Sequence, residues 1–324
     1  MLITGVEHGH PALWLVNEQL RVGVLPYKGA DIFEFTYLPA GVQLLMQTPW
    51  GLKSPGKLSP ADFLENYEGG WQELFPNHGD ACTFRGKSLP MHGEVALLPW
   101  EVQVLQDNDA ETCIHLQVRC QKTPFLLERT MRLQAGKARL EILEKVTNES
   151  DQACEFVWGH HLTLGEAFLD GESRLDISAG TILTPQVLFE PATARLDPGQ
   201  TSPWPAARDR KGGTINLSEI PGWQVHSHDD SFLTNLASGH YTVTSQHKGL
   251  RFSLDWDEAL FPWIAFWQPY GGADLAPFTG LYGVGIEPWV SQYPLTEAVE
   301  KGQARSLAGR SSLETRLVAS VTRL

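Results

Sequence analysis

Only four cysteines, Cys82, Cys113, Cys120 and Cys154, occur in 324 residues, and no two stand at C-x-x-C spacing. A zinc ribbon, a redox dithiol or a disulfide framework needs cysteines that are closer together or more numerous. These four are therefore expected as buried thiols. No run of about 18 apolar residues occurs, which argues against a transmembrane helix. The opening MLITGVEHGHPALWLVNEQL has no basic stretch followed by a sustained apolar core. No signal peptide is expected from it, and the expected compartment is the cytoplasm.

Positive charge is scarce as well. Lys and Arg number 25 against 38 Asp and Glu, for a net charge of −13, and no segment gathers basic residues into a stripe. A nucleic-acid binder carries such a stripe, so neither nucleic acid nor membrane is an expected partner. A neutral small molecule is indifferent to the long-range field of the protein. Helical periodicity is also rare. PADFLENYEG, starting near Ser59-Pro60, holds one or two turns, and LTEAVEKGQ holds another short piece ending at Gly302.

Strand signals and aromatic residues are what the chain does have. RVGVLPYKGADIFEF reads as two β runs broken at Pro26 and Gly29. TCIHLQVRC alternates Ile114, Leu116, Val118 and Cys120 with His115, Gln117 and Arg119. RTMRLQAGKARLEILEKVTN reads as two strands hinged at Ala135-Gly136-Lys137, and HYTVTSQHKGLRFSLDW as a hairpin turning near His247-Lys248-Gly249. The Pro/Gly-rich stretch 190–215 reads as a long loop inserted between β elements. Residues 1–324 are expected to form one domain, all-β, a large and mostly antiparallel β-sandwich. Eleven Trp, fourteen Phe and seven Tyr serve such a core. Several Trp stand among Gly, Pro and polar residues, as Trp71 does in GGWQELFPN, and this also suits an aromatic floor for a ligand with one apolar and one hydroxylated face.

Polar residues capable of chemistry concentrate in GGWQELFPNHGD (69–80), MHGEV (91–95), WGHHLTLG (158–165), HSHDDSF (226–232) and YGVGIEPW (282–289). Glu287 stands in apolar company in GVGIEPW. Such surroundings disfavour the carboxylate and bring its pKa toward the range of a general base. His160 and His161 are adjacent, so on a strand only one of them faces a given pocket. His226 and His228 have the spacing of metal ligands on a strand, but no third ligand stands at a fixed distance.

The order FPN…HG…WGHH…D…IEPW, with the opening RVGVLPYKGADIFEF and the closing ARSLAGRSSLETRLVASV, resembles the aldose 1-epimerase (galactose mutarotase-like) family, in its divergent branch. The likeness runs over nearly the whole chain. It implies a galactose mutarotase-like β-sandwich, a small-molecule sugar as substrate, and neither cofactor nor metal. It implies further that Glu287 is the catalytic base and His161 the acid, where Leu162 and Leu164 replace the family's usual Pro and Phe. His92 would bond the sugar near its ring oxygen, and an Asp from HDDSF, Asp229 rather than Asp230 by its spacing to Phe232, would accept a sugar hydroxyl. Asn77 matches a family position, and His78 stands where many members have Arg. Trp71 and His160 complete the expected substrate-binding set. The competing readings are a non-catalytic carbohydrate-binding protein of the same fold, a glycoside hydrolase using Glu94, Glu287 or Asp229, and a metalloenzyme built on His226, His228 and His160 or His161. Arg85 and Lys87 keep a phosphorylated sugar among the candidates.

Overall fold

The period-two patterns of the sequence become strands. In the computed structural model, which describes residues 1–58, 62–274 and 277–324, Ile114, Leu116 and Val118 of the Glu111–Arg119 strand are buried, while His115 and Gln117 are half-buried. The Ala135–Lys137 hinge joins Phe125–Gln134 to Arg139–Asn148. The other expected hairpin joins His240–Ser245 to Leu250–Asp255. Gly136 and Gly249 take φ of 69° and 62° there, where a β-carbon would be strained.

Helix is confined to short pieces. Phe63–Asn66 makes one turn, capped by Asp62, whose carboxylate accepts the Glu65 N–H at 3.0 Å. The expected start at Ser59 and Pro60 lies outside the described residues. Leu295–Glu300 forms the second piece. No described helix is long and apolar enough to cross a membrane. The 190–215 stretch is more ordered than a loop. Thr201–Pro203 pairs with Thr181–Leu183 at a sheet edge, and Ala206–Arg208 forms a hairpin with Thr214–Asn216. Strands of three residues are too short to show alternation in sequence. Of the four thiols, Cys113 and Cys154 are buried, but Cys82 and Cys120 are only half-buried.

Among the described residues the strands form two large antiparallel sheets, of twelve and nine strands. The fold is an all-β sandwich, with its main apolar core, from Leu15 through Trp158 to Val321, running through both sheets. The larger sheet carries in its middle, in spatial order, Trp71–Leu74, Gly159–Gly165, Gly283–Trp289, Trp263–Tyr270 and Ser227–Thr234. Every residue of Gly159–Gly165 and of Gly283–Trp289 is buried. Strands covered on both faces lose the polar–apolar alternation of half-exposed ones, which is why WGHHLTLG and GVGIEPW show none.

Candidate active site

The register of the central strands sets the site. Gly159 pairs with Trp289 and Thr163 with Gly285, which brings Glu287 alongside His161. Glu287 pairs in turn with Ala265, and Ala265 with Phe232; one step along, Gly285 pairs with Trp267, and Trp267 with Asp230. Cross-strand partners share a face, so these rows lay one floor across four strands. The floor underlies a cavity of about 480 Å³ whose lining includes His161, Glu287, Asp230, Trp267 and Trp289. Its walls come from connecting segments, among them Phe63, Tyr67, His92, Phe189, Phe278 and Tyr293. That volume lies within the range of small-molecule sites.

At the centre, His161 Nε2 lies 3.6 Å from Glu287 Oε1. Both side chains are buried, and Glu287 Oε1 accepts no hydrogen bond from the protein. Burial pushes the Glu287 carboxyl well above the usual range, and the neighbouring Asp230 carboxylate adds to the shift. Burial pulls His161 down to about 3. A low-dielectric site disfavours both charges, so in the free protein the pair rests as carboxylic acid and neutral imidazole. On the far edge of the imidazole, Tyr67 O–H donates to Thr163 Oγ1 at 3.1 Å, and that hydroxyl reaches His161 Nδ1 at 3.5 Å. Nε2 is thereby turned toward Glu287 and the cavity.

His92 supplies a third group. Gly79 N–H donates to its Nδ1 at 3.1 Å, which places the ring hydrogen on Nε2. Burial first, then the nearby His161 and His78, lowers its pKa well below the usual value. His92 is therefore a neutral N–H donor. Its backbone takes φ of 60°, and the Gly93 turn that follows packs so close to Phe75 that a β-carbon would lie 2.4 Å from the Phe75 carbonyl oxygen.

The other residues expected at the site divide. Asp230, not Asp229, lines the cavity, and strand alternation is the reason. Asp229 points to the other face, where its carboxylate accepts the backbone N–H of Arg195 and Leu196 at 2.6 and 2.9 Å and the Arg195 Nε at 2.7 Å. Asp230 is half-buried, and burial raises its carboxyl to about 6. Asn77 holds the fold instead of lining the cavity: its amide donates to the Asp80 and Pro90 carbonyls, and its oxygen accepts the Leu295 N–H. His78 stacks on Trp289 at 4.3 Å between ring centres and does not line the cavity. Trp71 points into the sandwich.

So does His160. It pairs across strands with Glu73, and the two face the nine-stranded sheet. There Arg129 bonds Glu73, donates to Glu144 at 2.9 Å and to the Ala30 carbonyl at 3.1 Å, while Trp158 N–H donates to Glu73. Trp71 N–H donates to His160 Nδ1 at 3.2 Å, which puts the ring hydrogen on Nε2, 3.3 Å from Glu144. Two carboxylates face one guanidinium, so neutrality calls for one more proton in the cluster. Glu73 and His160 both respond. Burial raises the Glu73 carboxyl to about 7, and at His160 the two carboxylates outweigh burial and raise the imidazole above its usual value.

Among the described residues Glu73, Glu144 and His160 form the one group with donor atoms close enough to surround a cation, all within 4.8 Å. Arg129 already bonds both of its carboxylates, so a cation would be set against a guanidinium. The His226–His228 pair is not a ligand pair. His226 precedes the strand with φ of 51° and is exposed, whereas both ring nitrogens of His228 are in use, toward Glu190 at 3.1 Å and from the Trp267 N–H at 2.6 Å. Glu94, a carboxylate considered for hydrolysis, accepts the Gln121 and Lys122 N–H groups at 2.7 and 3.1 Å. Arg85 is bound to Glu155 at 2.6 Å and to the Ala153 carbonyl, away from the cavity.

Residues 7–321 match the family described as domain of unknown function DUF4432. The chain belongs to this family. No curated protein matches this DUF4432 chain. Solved structures resemble it over nearly their whole length. The Slr1438 protein of Synechocystis sp. PCC 6803 is 20% identical with a TM-score of 0.72, covering 99% of this chain and 100% of its own. A galactose mutarotase-like protein of Clostridium acetobutylicum is 13% identical, TM-score 0.66, over 100% and 99%. A galactose mutarotase related enzyme of Lactobacillus acidophilus is 17% identical, TM-score 0.63, over 95% and 96%. The DUF4432 chain has the galactose mutarotase-like fold.

The sequence alone assigns no role to Tyr67, Thr163, Trp267 or Trp289, and its spacing favours Asp229 over Asp230. Trp289 stands in the quoted GVGIEPW, and Asp230 beside the residue chosen. For Tyr67 and Thr163 no local signal exists, because 96 residues of chain separate two hydroxyls that meet only in the fold.

Proposed function

We propose that the chain is an isomerase of the aldose 1-epimerase type that interconverts the α and β anomers of a sugar. The observation that carries this reading is the buried, facing pair His161–Glu287, 3.6 Å apart on the cavity floor. Mutarotation needs one proton taken from the anomeric hydroxyl and another delivered to the ring oxygen. The C1–O5 bond then breaks, the aldehyde turns about C1–C2, and the ring closes on the other face by the reverse transfers. Beyond the ring N–H of the neutral imidazole, the pair shares one titratable proton, the number such an exchange requires. Hydrogen bonds from sugar hydroxyls replace the hydration that burial removed and favour the charged form, with Glu287 as base and His161 as acid. Each role would contribute about 10²–10⁴-fold. His92 Nε2–H and Asp230 would orient the sugar, and Trp267 and Trp289 would cover its apolar face.

Proton-exchange NMR on equilibrated sugars, with wild type beside Glu287→Gln, tests the proposal. Acceleration of α–β exchange by wild type alone supports it. Binding without acceleration favours the non-catalytic carbohydrate-binding protein. Equal acceleration by both proteins removes Glu287 as base.

A further inference from the structure

The cavity is one-sided in charge. Asp80, Asp230, Glu287 and Glu297 line it, and among the described residues no Lys or Arg does. Arg195 approaches the same strand but is bound to Asp229 on the opposite face. A phosphate or carboxylate brought into this space would be desolvated beside carboxylates with no cation to pair with.

The walls are equally selective. From His161 a ladder of rings leads outward: Trp267 at 5.6 Å, then Phe278 at 5.8 Å, then Phe189 at 5.5 Å. Phe189 is 51% exposed and Val187 83% exposed, and both line the cavity. His161, Glu287 and Asp230, which can meet sugar hydroxyls, share the strand floor at the inner end of the ladder, and its two outer rings, Phe278 and Phe189, present carbon only. A hydroxyl held against Phe278 and Phe189 would lose water without gaining a partner, whereas a methyl group there would leave water at a gain.

Resting on the mutarotase reading of the same site, we propose that the substrate is an uncharged aldose with an apolar substituent remote from the anomeric carbon, a 6-deoxyaldohexose being the simplest, because the His161–Glu287 pair faces a cavity walled on one side by Phe278 and Phe189 and lined by carboxylates with no Lys or Arg among the described residues. The exocyclic carbon projects furthest from the ring, so it is the group that reaches this wall.

The test measures α–β exchange by NMR for 6-deoxyhexoses, their parent hexoses, a hexose 6-phosphate and a hexuronate, with ligand-observed binding on the same samples. The expected result is a kcat/KM about tenfold or more higher for the 6-deoxy sugar than for its parent, the range one apolar group commands in such a pocket, and no acceleration of the anions. Phe189→Ser, a change at an exposed side chain, should lower kcat/KM for the deoxy sugar several-fold more than for the parent. Equal or better turnover of the parent hexose, or any turnover of the phosphate, overturns the substrate class and leaves the mutarotase reading standing. Selective binding of deoxy sugars without acceleration supports the substrate class while removing the enzyme. Absence of both binding and acceleration removes both.

Discussion

The carboxylate of Glu287 folds back over Gly285, two residues earlier on the same strand, so closely that a β-carbon at position 285 would lie 2.3 Å from Oε1. Residues two apart on a strand share a face. The missing side chain at 285 is the space in which the proposed base sits. Gly285→Ala should therefore displace the carboxylate while the sheet survives, because the atom that must yield ends a flexible side chain. A loss of about 10²-fold in kcat is expected, the cost of misplacing a reacting group by about 1 Å, with the unfolding midpoint little changed. Unaltered exchange rates would show that Glu287 does not act from this position.

The two adjacent histidines should separate cleanly. His160→Leu leaves Trp71 N–H and Glu144 Oε2 without the ring that faces them and deprives the cluster of a proton carrier. A loss of about 3–5 kcal/mol in urea unfolding is expected, as when one partner of a buried ionic group is removed. His161→Gln should instead lower exchange activity by about 10²–10⁴-fold without a comparable loss of stability. Reversed behaviour would reassign the acid to His160.

Stability at low pH should depend on His161. The folded state holds it neutral down to about 3, whereas the unfolded chain takes up a proton near the ordinary value of 6.5. Between those limits the unfolded state binds more protons, so stability is lost as pH falls from 6.5 toward 3. Glu287 has the opposite sign. Its raised pKa keeps a proton that the unfolded chain releases above 4.5, so it costs stability as pH rises beyond 4.5. His161→Gln should show a smaller fall in melting temperature between pH 6.5 and 4.5 than wild type, and Glu287→Gln should gain on wild type at pH 7. Parallel curves for all three proteins would contradict these environments.

Asp229 and Asp230 should also part. Asp230 lies near Glu287 and raises its proton affinity, so Asp230→Asn should move the basic limb of the pH–rate profile downward and raise KM. Asp229→Asn removes a charge that accepts two backbone N–H groups and Arg195, and should act on stability, by about 1–3 kcal/mol. A shift of the pH profile by Asp229→Asn alone would restore the assignment made from sequence.

The resemblance to the aldose 1-epimerase family singled out His161 and His92; local pattern was enough to reveal the all-β architecture, the principal hairpins and the candidacy of Glu287. Each of these depends on interactions within a few residues: alternation, a glycine at a turn, a carboxylate among apolar neighbours. What local pattern could not decide was which face a residue would occupy once its strand was buried on both sides. Asp229 and Asp230 differ by one step of a period of two, and so do His160 and His161. That step is set by pairing with strands distant in sequence, Gly159 with Trp289 and Asp230 with Trp267. Trp71, Asn77 and His78 carry site-like residue types, yet two of them spend their polar atoms inside the fold and His78 is spent on stacking against Trp289. The Tyr67–Thr163 hydroxyl pair, the Arg129 cluster and the aromatic cavity lined by carboxylates arise from contacts across tens to hundreds of residues, which only the closed sandwich brings together.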